Sequence, residues 1–202
     1  MITVAFFIRK MTYFELNTGL ISGGKMVQLV RVSASNQHDI ALINELYDIS
    51  FPDHEKRSIR GRESLLPLEQ FYLYKIVDNN QFVGFIGGWL IETFFYIEHF
   101  AIAQHIRGAG YGQKSLSALC QLYPRIVLEI DPLVDEVARK RLHFYEKNGF
   151  IKNDYSHHHP SYNDKYTPHK LEILSLHSPF TQDEYQTFNQ FLVNTVMNRN
   201  FL

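Results

Sequence analysis

The chain has 202 residues, 45% of them hydrophobic, which is enough for one domain with a proper core and scarcely enough for two. Its 20 basic and 21 acidic side chains leave a formal net charge of -1, which argues against a broad electrostatic surface for nucleic acid or an anionic membrane. The single cysteine, Cys120, excludes an internal disulfide, and no apolar run reaches membrane-spanning length, so we expect a cytoplasmic protein.

Residues 1–25 show no clear period, whereas "MVQLVRVSAS" from Met26 is typical of a first strand. Codons for Gly23, Gly24 and Lys25 can resemble a bacterial ribosome-binding site just ahead of a start codon. Our hypothesis is that Met26 is the physiological start, so that 1–25 is a leader and 26–202 is the domain. An extra strand or a disordered arm is the alternative.

Helical and strand patterns then follow in turn. "HDIALINELYDI" has helical spacing, Pro52 ends that helix, and residues 56–68 form a polar, partly helical connection. Next come "FYLYKIV", "FVGFIGGWLI" and "TFFYIEHFAIA", the first two joined by an asparagine-rich turn typical of a hairpin. The third strand is apolar on both faces, which predicts a central position. Gly87 and Gly88 predict a bulge or a close backbone approach.

The second half continues the alternation. A helix through "QKSLSALCQLY" precedes the buried strand "RIVLEID". "DEVARKRLHFYEKNGF" is a helix that ends at an Asn-Gly pair, and "KLEILSL" is a late strand. Thr181 and Glu184 form a capping box that opens a final helix at about 181–198. The pattern predicts one α/β (α+β) domain.

The segment "HIRGAGYGQKSL", residues 105–116, joins a strand to a helix. Backbone N–H groups of such a loop and the positive end of the helix dipole bind phosphate. A P-loop and a dinucleotide fingerprint both fail, because Gln113 stands where the first needs its second glycine and the second needs its third glycine. Arg107, Gly110 and Gly112 satisfy a third pattern, R/Q-x-x-G-x-G/A.

"EHFAIAQHIRGAGYGQKSL" resembles the acetyl-CoA-binding motif of the GNAT superfamily of N-acetyltransferases, and "RIVLEI" and "RLHFYEKNGF" resemble its next strand and helix end. The resemblance spans about residues 27–177. It implies a mixed, mostly antiparallel sheet, splayed at the acetyl-CoA site and flanked by helices. "SFPDHEKRS", "EIDP" and "HPSY" resemble an uncharacterised bacterial branch, although Lys56 separates Glu55 from Arg57.

The resemblance also implies how acetyl-CoA binds. The loop amides would hold the pyrophosphate, and the pantetheine arm would pair with the preceding strand like an added strand. Ala138 departs from the family, because many members have an asparagine seven residues before the tyrosine. The implied cofactor-binding residues are Phe100, Ala101, Ile102, Arg107, Gly108, Ala109, Gly110, Tyr111, Gly112 and Gln113.

Acetyl transfer to an amine needs a neutral amine, a donor for the developing oxyanion and a proton for the departing thiolate. The resemblance implies Tyr145 as the acid, and the N–H of Ile102 is our candidate oxyanion donor. Glu129 and Glu98 are candidate bases on apolar strands, although each could instead pair with a buried histidine or arginine. Glu55 is a third candidate.

The sequence thus predicts an N-acetyltransferase that moves an acetyl group from acetyl-CoA to a primary amine of a small molecule, peptide or protein, by direct attack in a ternary complex. A non-catalytic CoA-binding sensor module and a transferase of longer acyl chains are the alternatives. We expect no metal, since His157, His158 and His159 cannot all point one way on a strand, and these side chains could line the amine pocket. The terminal Phe201 and Leu202 could serve a homodimer.

Overall fold

A computed structural model describes residues 27–202, so the predicted leader lies outside the described residues. The helices are α1 (Gln37–Ser50), α2 (Ile59–Leu65), α3 (Tyr111–Leu122), α4 (Glu136–Lys147) and α5 (Gln182–Phe191). The strands are β1 (Gln28–Arg31), β2 (Phe71–Asp78), β3 (Gln81–Ile91), β4 (Phe94–Ile102), β5 (Ile126–Ile130), β6 (Phe150–Lys152), β7 (His157–His159) and β8 (His169–Leu176).

The strands form one open sheet in the order β1-β2-β3-β4-β5-β8-β6, and β7 pairs with β8. Among the strands of residues 27–202, only the β4–β5 pair is parallel, so the sheet is mixed and mostly antiparallel as predicted. Side chains from α3 and α4 pack on one face of the sheet. Those of α1, α2 and α5 pack on the other face. β4 lies in the middle of the order, which explains its two apolar faces.

The β2–β3 hairpin turns through two asparagines. Asn79 and Asn80 have φ of 48° and 63°. Both values lie in the left-handed region, which the two central residues of a type I′ turn require and which asparagine tolerates. The predicted hairpin is confirmed.

A bulge in β4 shapes the centre of the sheet. Gly87 pairs with His99 but Gly88 pairs with Ile97, so Glu98 is an extra residue without a partner on β3. A side chain at Gly88 would collide with the backbone oxygen of Tyr96, which explains the second glycine. A bulge bends and twists its strand. Directly before it, β4 and β5 pair over only three residues, 95–97 with 126–128, and beyond that point they separate.

The C-terminal region differs from the prediction in detail. The capping box of Thr181 and Glu184 is present, but α5 ends at Phe191 and a π-helical turn, Leu192–Val196, follows. Arg57 donates hydrogen bonds to the carbonyl oxygens of Val196 and Phe201, which ties the chain end to the segment before α2. Phe201 and Leu202 therefore pack within the chain. A homodimer remains a prediction.

Candidate active site

A cavity of about 840 Å³ opens where β4 and β5 separate. Its wall begins at the glycine loop, residues 106–113, and continues along the end of β4 to Glu129 on β5 and Tyr145 on α4. All three predicted catalytic residues line it, and of the ten predicted cofactor-binding residues only Ala109 does not. The bulge therefore brings together groups that are distant in sequence.

The glycine loop adopts a conformation that other residues rarely take. Gly108 and Gly110 have φ of 83° and 81°, and no atom lies within 4 Å of where a Cβ would stand on either. Gly110 precedes the first turn of α3 without a side-chain cap. The N–H groups of Tyr111, Gly112 and Gln113 consequently have no acceptor among residues 27–202. These N–H groups form a nest suited to an anion.

Two side chains hold the loop against the sheet. Tyr111 donates a hydrogen bond from its hydroxyl to Asp78 at the end of β2, at 2.8 Å. Arg107 donates from Nε to the carbonyl oxygen of Ile102, at 2.9 Å, and its side chain is otherwise exposed at the mouth of the cavity. These two hydrogen bonds hold the loop against β2 and β4.

The free edge of β4 faces the cavity. Ala103 donates its N–H to Val83 on β3, and Gly84 pairs with Ile102. Because N–H directions alternate along a strand, the N–H groups of Ile102 and Phe100 point away from β3, toward the gap left by β5. This edge offers hydrogen bonds to an extended ligand.

Tyr145 approaches the cavity from the face that carries α3 and α4. Its ring makes edge contacts with Phe144 and Phe150. Its hydroxyl has no hydrogen-bond partner among residues 27–202. Burial raises the pKa of Tyr145 to about 12, although Arg141 opposes the shift. The hydroxyl is therefore protonated at neutral pH and free to donate.

Glu129 approaches from the opposite face and is nearly buried, with 5% of its side chain exposed. Tyr96 donates its hydroxyl to Oε2 at 2.5 Å, and Nε2 of His157 donates to Oε1. Burial alone would raise the pKa of Glu129, but the nearby His159 and the bonds from His157 and Tyr96 outweigh it and lower the pKa. Glu129 is a carboxylate at neutral pH.

Glu98 accepts hydrogen bonds from more side chains than Glu129 does. Arg57 donates to it from Nε at 2.8 Å, Trp89 from Nε1 at 2.7 Å and Tyr162 from its hydroxyl at 3.0 Å. Burial would raise the pKa of Glu98, but the positive charge of Arg57 outweighs burial and lowers it. Glu98 is thus paired with a buried arginine, a pairing that the sequence left open as an alternative.

A second, smaller cavity adjoins the first. This chamber has a volume of about 70 Å³ and shares with the large cavity the side chains of Phe51, Glu55, Glu129 and Asp131, among others. Asp131 forms an ion pair with Arg141. Burial and the nearby Asp131 raise the pKa of the half-buried Glu55.

The sequence model of the acetyltransferase (GNAT) family matches residues 40–150, more than half of the chain. The chain belongs to the GNAT acetyltransferase family. It is therefore an acyltransferase, which favours catalysis over the alternative of a non-catalytic CoA-binding module. No curated protein sequence matches the chain.

Solved GNAT structures resemble this one. A protein from Bacteroides thetaiotaomicron assigned to the GNAT family as an acetyltransferase superimposes with a TM-score of 0.80 and 26% identity, covering 84% of this chain and 98% of its own. The ribosomal-protein-S18-alanine N-acetyltransferase of Escherichia coli has a TM-score of 0.55 and 14% identity, over 78% and 97%. Arabidopsis thaliana Naa50, bound to a CoA bisubstrate analogue, has a TM-score of 0.51 and 19% identity, covering 74% of this chain and 97% of its own. The last two show the shared fold alone.

The GNAT domain contains site residues that sequence reasoning overlooked. The sequence does not reveal that Arg57 pairs with Glu98, nor that Arg141 and Tyr96 contact Asp131 and Glu129. The histidine triplet forms a strand, with His157 and His159 buried and His158 exposed. Strict alternation on a strand was the signal that two of the three share one face.

Among residues 27–202, no helix is both long and apolar enough to span a membrane.

Proposed function

We propose that this GNAT protein transfers the acetyl group of acetyl-CoA to a primary amine by direct attack in a ternary complex. The observation that carries the proposal is the single cavity that joins an anion-binding glycine loop to Tyr145 and Glu129 on opposite faces of the sheet. When bound, acetyl-CoA supplies the acetyl group as a thioester.

The residues present fit acetyl-CoA. The uncapped N–H groups of Tyr111, Gly112 and Gln113 and the exposed Arg107 suit the pyrophosphate. The β4 edge at Phe100 and Ile102 suits the amides of an extended pantetheine arm. A cavity of about 840 Å³ is large enough to bury most of such a ligand. Ala138 is buried in α4, so it supplies no side-chain hydrogen bond in place of the asparagine of other members.

The charges of the small chamber favour an amine. Four carboxylates and one arginine line it. Two of the four, Glu98 and Asp131, are paired with Arg57 and Arg141. Glu55 and Glu129 have no arginine or lysine partner among the described residues, so the chamber attracts a cation. We propose that the acceptor amine enters here as an ammonium.

The division of roles follows from the two faces of the sheet. Glu129 draws the proton from the ammonium, directly or through a neighbouring group, because a lysine-like amine with a pKa of about 10.4 is less than about 0.1% neutral at pH 7. The N–H of Ile102 stabilises the negative charge that develops on the carbonyl oxygen. Tyr145 donates its proton to the departing sulfur. Glu98 has no place in this scheme, since its oxygens already accept three side chains.

Calorimetric titration with acetyl-CoA and with CoA tests the cofactor site. We expect micromolar binding by the wild type and none by the double variant Arg107→Glu, Gly110→Asp. Amines are then screened by thiol release. A folded wild type that binds neither acetyl-CoA nor CoA would contradict the proposal.

A further inference from the structure

His159 carries an orphaned nitrogen in the wall of the small chamber. Only 3% of its side chain is exposed. Its Nδ1 lies 2.6 Å from the carbonyl oxygen of Pro160, and a carbonyl can only accept, so Nδ1 bears the proton. In the neutral ring Nε2 therefore carries the lone pair. Nε2 is buried and has no hydrogen-bond partner among residues 27–202.

The unpartnered nitrogen of His159 faces the Glu129 carboxylate at a distance longer than a hydrogen bond. Nε2 of His159 lies 3.8 Å from Oε2 of Glu129, too far for a hydrogen bond between them. Both atoms are acceptors. A single nitrogen with several N–H donors can lie about 2.8 Å from each, which is the ordinary length of a charge-assisted hydrogen bond. The pair thus offers two hydrogen-bond acceptors at a spacing that suits a primary ammonium.

Neighbouring residues fix this arrangement. Tyr162 stacks on the His159 ring with centroids 5.1 Å apart, and His169 lies 5.6 Å away. Glu129 is held by Tyr96 and His157, so neither acceptor is free to turn toward the other. The charged and titratable groups nearest His159 are Glu129 on β5, His169 on β8, Tyr162 in the following loop, Glu55 before α2 and His99 on β4. The chamber is also lined by the ion pair of Asp131 and Arg141 and by Glu98, which is paired with Arg57.

We propose that His159 Nε2 is the base that takes the proton from the acceptor ammonium, and that Glu129 binds the ammonium and then stabilises the imidazolium. This inference rests on the proposed function. The amine lone pair then bonds to the acetyl carbonyl carbon, the carbon–sulfur bond breaks, and the sulfur receives the Tyr145 proton. The nitrogen loses a second proton as the amide forms, so one proton is released overall for each acetyl group transferred.

The decisive experiment compares His159→Gln with His158→Gln and Glu129→Gln. His158 lies on the same strand but is exposed, so its variant is the matched control. Thiol release from acetyl-CoA is followed against pH with ethylamine, putrescine, glycinamide and water as acceptors. For each acceptor that the wild type uses, we expect His159→Gln to lower kcat by about 100-fold or more and to abolish the acidic limb of the pH profile. Acetyl-CoA binding by calorimetry should not change.

Two results would overturn the inference while the proposed function stands. One is a wild-type pH profile in His159→Gln together with a lost acidic limb in Glu129→Gln, since the carboxylate would then be the direct base. The other is an NMR spectrum of nitrogen-15-labelled wild type in which the neutral His159 ring bears its proton on Nε2. A wild type that binds acetyl-CoA but acetylates no amine contradicts the proposed function instead.

Discussion

The guanidinium of Arg57 and the carboxylate of Glu98 form an ion pair of 2.7 Å in which each side chain is only 1% exposed. Arg57 also donates to the carbonyl oxygens of Val196 and Phe201. One side chain therefore ties the β4 bulge to the end of the chain. Because the bulge opens the cavity, we infer that this pair maintains the site without taking part in proton transfer.

Glu98→Gln should destabilise the protein strongly. Removing one partner of a buried ion pair leaves an uncompensated charge, which costs about 3 to 5 kcal/mol. We expect that loss in the free energy of unfolding measured with urea. Glu69→Gln, at an exposed carboxylate, is the control and should change stability by less than about 0.5 kcal/mol. If Glu98→Gln left stability unchanged but greatly lowered kcat, Glu98 would instead be the catalytic base.

Stability should fall on acidification. Arg57 lowers the pKa of Glu98 in the folded protein although burial opposes the shift. His159, His157 and Tyr96 lower the pKa of Glu129 in the same way. A carboxyl with a lowered pKa contributes stability above its unfolded pKa of about 4.3 and loses that stability as the pH falls through the folded value. Urea unfolding from about pH 7 to about pH 3 should show the loss below about pH 4.3. The loss should be smaller in Glu98→Gln; an equal loss would mean that Glu98 does not contribute.

Tyr145→Phe should impair chemistry without impairing the fold. The hydroxyl, with its pKa of about 12, has no partner among the described residues, so its removal breaks no internal hydrogen bond. We expect kcat to fall about 100-fold, the lower end for loss of a general acid, with calorimetric affinity for acetyl-CoA unchanged. Tyr72→Phe, at a tyrosine outside both cavities, is the control. Equal kcat in the two variants would rule out Tyr145 as the acid.

The glycine loop should respond to backbone conformation more than to bulk. Gly110 has φ of 81° and nothing within 4 Å of a Cβ position, so a side chain there is strained but not obstructed. We expect Gly110→Ala to cost about 1 to 2 kcal/mol of stability and to weaken CoA binding, and Gly110→Asn to cost less because asparagine tolerates this region. Urea unfolding and calorimetry measure both effects. Equal losses in the two variants would point to the side chain itself.

Local sequence pattern and spacing were enough to predict several helices and turns of this protein. Helical periodicity predicted α1 from Ile40, Ile43 and Tyr47, which are all buried. The prediction was possible because the apolar period of an amphipathic helix is a pattern of residues close together in the sequence. The asparagine turn and the capping box of Thr181 were predictable for the same reason, since their hydrogen bonds span only a few residues. The glycine loop was predictable because its residues resemble the acetyl-CoA-binding motif of the family.

Tertiary structure decided what the candidate site residues contact. Glu98 and Glu129 look alike in the sequence, as carboxylates on apolar strands, yet one meets Arg57 and the other meets His157. Strands β6 and β7 were also not predicted, because three-residue strands carry little pattern and form only where β8 offers an edge. Desolvation and charge act between residues that are distant in the chain, so only the fold determines which carboxylate is paired and which histidine nitrogen remains free.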